Sequence, residues 1–363
     1  MSELNNSPMF FLGANSPKGF VSHFGDNFSH EDSWRTFIIK GGPGTGKSTV
    51  MKRVALHFLK QNIRVSLFPC SSDPTSLDAV IFPDFKVIML DGTSPHLLDP
   101  KYPGVCEEII NLGDCWNESI LLNNKDAVIN LTNQNRTLHT RARNYLSSAS
   151  ALMEDTRIIA KEYTDEEKAK KFALKLSKKH IPKTKTKGIE WQRFLSSVTP
   201  KGPYFFRKTI EKLAEKVVVI TDEYGAVSPI ILEEIRKTAL NFGHEIITCY
   251  CPFFPTSKCE HIFIPSLSLA FCTSNKFHPI KTEERGIHAR RFMNTSALHT
   301  HKARLNYNRK AISELLSIAT DTLSEAKAVH DKLESHYIKA MNFEKLNAYS
   351  EAILRKILST IKI

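Results

Sequence analysis

The apolar positions of this chain fall into two kinds of pattern, short unbroken runs and longer stripes of helical period. WRTFII at Trp34–Ile39 is a run of strand character that ends at a cluster of glycines. The following VMKRVALHFLKQN places Val50, Val54 and Phe58 on one helical face, with Met51, Ala55 and Leu59 beside them. RVSLFPC predicts a further strand. Val87–Leu90 predicts a fully apolar one, with Asp91 at its C-terminal end. From Asn144 to Lys179 and from Asn306 to Ile363 glycine is absent and Ala, Leu, Lys and Glu abound, which predicts helical arms. In the second arm Leu315, Ile318, Leu323 and Ala326 mark an unevenly spaced apolar stripe. We expect paired antiparallel helices capping each core, with packing as their first role and partner binding as their second.

The patterns repeat. At a constant offset of 181 positions Ile39 falls on Ile220, Gly44 on Gly225, Val50 on Ile231 and Val54 on Ile235. IRVSLFPC falls on HEIITCYC, Pro74-Thr75-Ser76 on Pro255-Thr256-Ser257, and Asp91 on Cys272. FLGANSPKGF echoes FLSSVTPKGP upstream, and TLHTRARNY echoes ALHTHKARLNY downstream. The chain is thus read as an internal duplication of an α/β core followed by a helical arm, with domains at 1–188 and 189–363.

Between the first strand and helix stands Gly41-Gly42-Pro43-Gly44-Thr45-Gly46-Lys47-Ser48-Thr49, which fits G-x-x-x-x-G-K-[ST] without departure. Glycines let the backbone N–H groups turn inward at a helix N-terminus, forming a nest for anions. Lys47 would reach phosphate oxygens, and the Ser48 hydroxyl would complete the shell of a Mg²⁺ ion. Asp91 is the candidate second metal ligand, although a turn-forming Asp before Gly92 explains it equally well locally. Asp73 and Asp78 follow the neighbouring strand and could also face a nucleotide or substrate. In the second copy Gly41, Gly42, Gly46, Lys47 and Ser48 become Asp222, Glu223, Val227, Ser228 and Pro229. Two carboxylates then stand where phosphates would sit and the lysine is gone, so the second copy is expected not to bind nucleotide. The SPKG and TPKG segments read as strand-to-turn connections shaped by Pro and Gly. Candidate arginines for a γ-phosphate are Arg136, Arg141 and Arg143 in the first copy and Arg285, Arg290, Arg291 and Arg304 in the second.

Composition adds limits. At 363 residues, 41% hydrophobic and 24% charged, the chain has an ordinary globular balance. No apolar run approaches the roughly 18 residues needed to span a bilayer, and the first residues lack a secretory pattern, so a cytoplasmic location is expected without a membrane. The seven cysteines are expected to be reduced. Cys249, Cys251, Cys259 and His261 are close in sequence, but C-x-C followed by C-x-H suits no common zinc pattern. Much of the net charge of +12 is local, concentrated in KAKKFALKLSKKHIPKTKTKG. We read that lysine-rich stretch, 168–187, as a solvated helix end and linker, or else as a surface for an acidic protein or nucleic acid.

Through GGPGTGKST the chain resembles the P-loop NTPase superfamily. Through NSPKGF, CSSDPTSLDAVIFPD and DGTSPHLLDPKYPG it is similar to tandem P-loop, ATPase-like proteins of Gram-positive bacteria. The resemblance implies ATP, or else GTP, with Mg²⁺ at Gly41–Thr49. It also implies two tandem P-loop-type three-layer α/β cores with mostly parallel sheets; the second loop, degenerate in this chain, departs from the family's often glycine-rich one. The expected activity is nucleotide hydrolysis, with Lys47 and Asp91 as catalytic residues and a structural or regulatory second half. A small-molecule or nucleotide kinase using Asp73, Asp78 and His96 around an acceptor is the alternative, and a nucleotide-gated binding module for an acidic partner a third.

Overall fold

The computed structural model describes residues 4–24, 34–281 and 286–361. Arg285 lies outside them. A hairpin of β1 (Gly13–Ser16) and β2 (Gly19–Ser22) precedes β3 (Arg35–Lys40), α1 (Lys47–Leu59), β4 (Ser66–Pro69), β5 (Leu77–Phe82), β6 (Val87–Asp91) and β7 (Glu107–Asn111). The short α2 (Glu118–Asn123), the 38-residue α3 (Lys125–Glu162) and α4 (Glu166–His180) follow. The pattern then recurs: β8 (Ile189–Arg193), a hairpin of β9 (Ser196–Thr199) and β10 (Gly202–Phe205), α5 (Arg207–Leu213), β11 (Lys216–Thr221), α6 (Ser228–Asn241), β12 (Glu245–Cys251), β13 (Phe254–Ile264) and β14 (Leu269–Ser274). β15 (Ile287–His288), α7 (Thr295–Leu298), the 39-residue α8 (Lys302–Ala340) and α9 (Phe343–Ile361) complete the chain.

The fold is mixed α/β, and the sheets are mixed rather than mostly parallel. The first runs β4-β5-β6-β3-β7, with β3 parallel to β6 and β7 and β5 antiparallel to both of its neighbours. The second runs β15-β11-β14-β13-β12-β8, where β13 is the antiparallel strand. The reason is connection length. A parallel pair needs a crossover of about a dozen residues or more, whereas β5 reaches β6 through the tight turn at Pro83–Phe85, closed by Lys86 at φ 54°. Its counterpart is Pro265–Leu267, closed by Ser268 at φ 46°.

The compact units do not divide at 188/189. One comprises the described parts of 1–13, 22–141 and 321–363, the other those of 14–21 and 142–320. Two of the boundaries fall inside α3 and α8, so the near part of each arm stays with the core it follows in sequence and the distal part belongs to the other unit. In the first unit α1 buries Val50, Met51, Val54, Ala55 and Phe58 against Phe37, Ile39, Val80, Phe82 and Met89 of the sheet. Leu346, Ile353 and Ile357 of α9 complete this cluster, each contributing about 1.5–3 kcal/mol when fully buried.

In the second unit α6 buries Ile231, Leu232, Ile235 and Ala239. α4 packs on α6 with Ala169, Ala173 and Ser177 buried, a row of small residues at four-residue spacing. The segment after α4 is docked rather than a free linker. Thr184 bonds to the Phe242 carbonyl at 2.8 Å, Thr186 Oγ1 donates to the Gly243 carbonyl at 2.6 Å, and His244 Nε2 lies 2.7 Å from the Pro182 carbonyl. Between Leu305 and Ala340, which are also buried, the buried apolar stripe of α8 is Ile312, Leu316, Ala319, Leu323, Ala326 and Leu333. It is spaced alternately by four and three until its last step, so Leu315 and Ile318 lie to its side. The hairpins carry the SPKG and TPKG turns, where Gly19 and Gly202 adopt φ 104° and 101° and a hydroxyl two residues back accepts from the lysine N–H.

Candidate functional site

β3 ends at Lys40 and α1 begins at Lys47, so the chain turns through Gly41–Gly46 at the C-terminal edge of the sheet. Gly44 and Gly46 adopt φ 70° and 90°, a region that excludes most side chains. Thr45 is buried and its Oγ1 donates to the Gly42 carbonyl at 2.8 Å, locking the loop. The glycines serve a second purpose. A Cβ on Gly42 would run into the Tyr337 ring, one on Gly44 would come within 3.0 Å of the Glu334 carbonyl, and one on Gly46 within 2.8 Å of Leu346 Cδ2. The end of α8 and the start of α9 therefore rest on this loop.

Lys47 Nζ donates to the Gly41 and Gly42 carbonyls at 3.1 and 2.7 Å and lies 3.6 Å from Asp91 Oδ2. Asp91 has both local roles open to it. Oδ1 accepts from the Thr93 N–H and hydroxyl, making the turn, while Oδ2 faces the lysine. Ser48 Oγ accepts from the Leu77 N–H at 2.9 Å at the start of β5. Thr49 is exposed and Pro43 half-buried. Ser48, next to Lys47 in the chain, and Asp91, across from it, offer hard oxygen ligands of the kind Mg²⁺ takes.

Asp73 accepts from the Thr75 N–H and hydroxyl and pairs with Lys327 of α8 at 3.5 Å. Burial works against its ionisation, but the Thr75 bonds and Lys327 hold its carboxyl below the usual range. Asp78 and His96 are buried and meet at 3.2 Å. Burial pulls the imidazole down, yet Asp78 first and Asp91 next more than offset it and raise its pKa. Of the candidate arginines, Arg290 pairs with Glu223 at 3.7 Å, Arg304 pairs with Asp155, and Arg291 lies over the Phe172 and Phe292 rings, all within the second unit.

The second loop shows how its own nest is closed. Asp222, at the position of Gly41, is fully buried. Its Oδ1 accepts from Tyr224 N and Gly225 N at 3.3 and 3.0 Å, and its Oδ2 from Val227 N and Ser228 N at 2.9 and 2.7 Å. A carboxylate of the chain fills the place an anion would take at the head of α6. Gly225 keeps φ 69°, matching Gly44. Strand pairing also corrects the repeat register. Asp91 pairs with Ile39 and Thr273 with Ile220, so Thr273, not Cys272, is the counterpart of Asp91. The offset changes from 181 to 182 within β13.

A cavity of about 1380 Å³ opens in the second unit beside this loop, lined in part by Tyr224, Gly225, Lys258, Glu260 and His278. Burial would raise the Glu260 carboxyl, but Lys258, 2.9 Å away, and then His278 hold it at about 2. Burial lowers the pKa of His278 and brings that of His261 down to about 3. The cysteines are free thiols, and burial pushes Cys251 up to about 12 and Cys249 and Cys259 well above their ordinary value. The sequence offered no periodic signal for Asp222 or Glu260 as site residues. The clue was a carboxylate replacing a loop glycine. No protein family, curated protein or solved structure matches the chain. Among the described residues no helix is long and apolar enough to cross a membrane.

Proposed function

We propose that the first unit is a Mg²⁺-dependent nucleoside triphosphate-binding and hydrolysing module, with ATP the expected nucleotide and GTP the alternative. On this reading the chain holds two P-loop-type cores, of which the second has lost its chemistry. One observation carries it: the glycine-rich turn from β3 to α1, with its left-handed glycines, brings Lys47 to within 3.6 Å of the Asp91 carboxylate at the C-terminal edge of the sheet. That is where open α/β sheets gather ligands, and a helix N-terminus with inward amides is suited to phosphate.

In this proposal the loop amides and Lys47 exchange their carbonyl contacts for β- and γ-phosphate oxygens. Ser48 and Asp91 Oδ2 would hold Mg²⁺, which supplies charge neutralisation across the phosphates. Tyr337, Glu334 and Leu346 rest on the loop, and Lys327 pairs with Asp73. A shift of the loop on binding phosphate is therefore felt by α8 and α9. This gives the helical arm of the first unit a means of reporting nucleotide state. The kinase reading gains nothing from the pairing of Asp78 with His96, since both are buried and engaged with each other.

The test is Mg²⁺-dependent ATP binding and phosphate release by wild type, Lys47→Ala and Asp91→Ala. Loss of binding and turnover in both variants is the expected result. Binding by wild type that Lys47→Ala leaves unchanged would sink the proposal.

A further inference from the structure

Glu260 and His261 are neighbours on β13, and in a regular strand their side chains would leave opposite faces of the sheet. The pairing with β12 skips a residue: Tyr250 pairs with Cys259 and Cys249 with His261, so Glu260 is the extra residue of a bulge. Bulges re-aim side chains. This one brings the carboxylate and the imidazole together with His278, from the turn after β14. One ligand atom from each of the three lies within 4.8 Å of the others.

All three side chains are buried, with residue exposures of 2, 1 and 6%. Lys258 occupies Glu260 Oε1, and Ser196 Oγ lies 3.0 Å from His278 Nε2. Glu260 Oε2, both nitrogens of His261 and His278 Nδ1 make no hydrogen bond among the described residues, and Glu260 Oε2 faces His278 Nδ1 at 3.6 Å. Burying a polar atom without a hydrogen-bond partner is costly. One nitrogen of each neutral imidazole and the free carboxylate oxygen of Glu260 can each give a lone pair, and one such atom from each residue converges.

The first unit carries related chemistry. At the offset of 182 that holds from Leu77 and Cys259 onward, Asp78, also skipped by its strand pairing, falls on Glu260 and His96 on His278, while Cys70 falls on Cys251 at 181. Cys70, Asp78 and His96 also bring ligand atoms within 4.8 Å of one another. The second loop lost Lys47 and Ser48, but a carboxylate and a histidine persist behind it.

We propose that Glu260, His261 and His278 form a binding site for a divalent transition-metal ion of the Zn²⁺ class in the second unit. Two imidazoles and one carboxylate oxygen suit Zn²⁺, Fe²⁺ or Co²⁺ rather than Mg²⁺ or Ca²⁺, which take oxygen. Glu260 and His278 stand in the cavity wall, so the remaining coordination positions face the cavity. In that wall Lys258, Lys276, Lys281, Lys302, Arg290 and Arg309 outnumber Glu223 and Glu260. The group that completes the coordination is accordingly an anion.

The experiment is titration of chelator-treated, nucleotide-free protein with Co²⁺, read by its visible absorption and by displacement with Zn²⁺. Wild type and Lys47→Ala should show the same nitrogen- and oxygen-type bands. Glu260→Gln and His278→Ala should weaken binding by more than about 100-fold, beyond the effect of losing an outer-shell partner. Circular dichroism establishes that each variant is folded. If either is not, paramagnetically shifted imidazole resonances from two histidines in the Co²⁺-loaded wild type are the decisive readout, and their absence overturns the assignment. Three other results also overturn it: no uptake by wild type, thiolate charge-transfer bands that place the ion on cysteines, or binding that survives both variants and disappears in Asp78→Asn. Retention of the site in Lys47→Ala keeps this result separate from the fate of the nucleotide reading.

Discussion

Replacing Asp222 by alanine removes the carboxylate that closes the anion nest of the second repeat. Its two oxygens accept from four backbone N–H groups at 2.7–3.3 Å, two of them at Val227 and Ser228 where α6 begins. The helix cannot satisfy its own first N–H groups. Loss of an N-terminal cap costs about 0.5–2 kcal/mol, and each buried donor left unpaired about 1–3 kcal/mol. Tyr224 and Gly225 line the adjoining cavity, so water can reach some of the vacated donors. We therefore expect a loss of about 3–5 kcal/mol rather than the full sum. Asp222→Asn keeps one acceptor oxygen and should lose roughly 1–2 kcal/mol. Urea unfolding followed by circular dichroism measures both losses through the midpoint at constant slope. Inorganic phosphate should raise the midpoint of Asp222→Ala, whose nest is vacated, by more than that of wild type, in which only the first loop is open to it, because a ligand stabilises only the state that binds it. A loss under about 1 kcal/mol, or an equal phosphate effect on both proteins, would refute the reasoning.

Three further outcomes are expected. Gly46→Ala forces a side chain to φ 90° with its Cβ 2.8 Å from Leu346 Cδ2; the left-handed backbone alone costs about 1–2 kcal/mol, which thermal unfolding will show as a lowered midpoint. Ile353→Ala, in the α9 face buried on the first core, should cost about 2–5 kcal/mol in urea titration, whereas an effect near zero would mean that α9 does not belong to that core. Half-buried His139 has its pKa lowered by burial and then by His330. Because the folded pKa lies below the unfolded one, the unfolded state takes up the proton first; stability is unaffected above the ordinary histidine range and falls as pH drops from about 6.5 toward the folded value. His139→Gln should flatten the urea midpoint between pH 7 and 5, and an unchanged slope would show that another group carries it.

Local chemistry in the sequence determined a good deal about this protein. The face Val50, Val54 and Phe58 is buried because a 3.6-residue period needs no partner to be recognised, and the left-handed Gly44 and Gly225 lie where the repeated loop pattern put them. The Pro/Gly turns of both hairpins follow from the same short-range sterics. β5 was hidden because Asp78 interrupts an otherwise apolar run, and its antiparallel direction depends on the turn at Pro83–Phe85. The buried stripe of α8 runs through Leu316 and Ala319 rather than Leu315 and Ile318, since the packing partner selects which of two overlapping apolar stripes is covered.

Tertiary structure alone decided which helices complete which core, because long helices carry the chain past the unit it has just built and no local pattern records the destination. It alone showed that Asp222 turns inward onto the amides of its own loop. One extra residue before Cys259 makes Thr273 the counterpart of Asp91, and the bulge at Glu260 gathers Glu260, His261 and His278. Strand alternation predicts opposite faces for adjacent residues, and only the pairing of β12 with β13, set by contacts across the sheet, could overrule it.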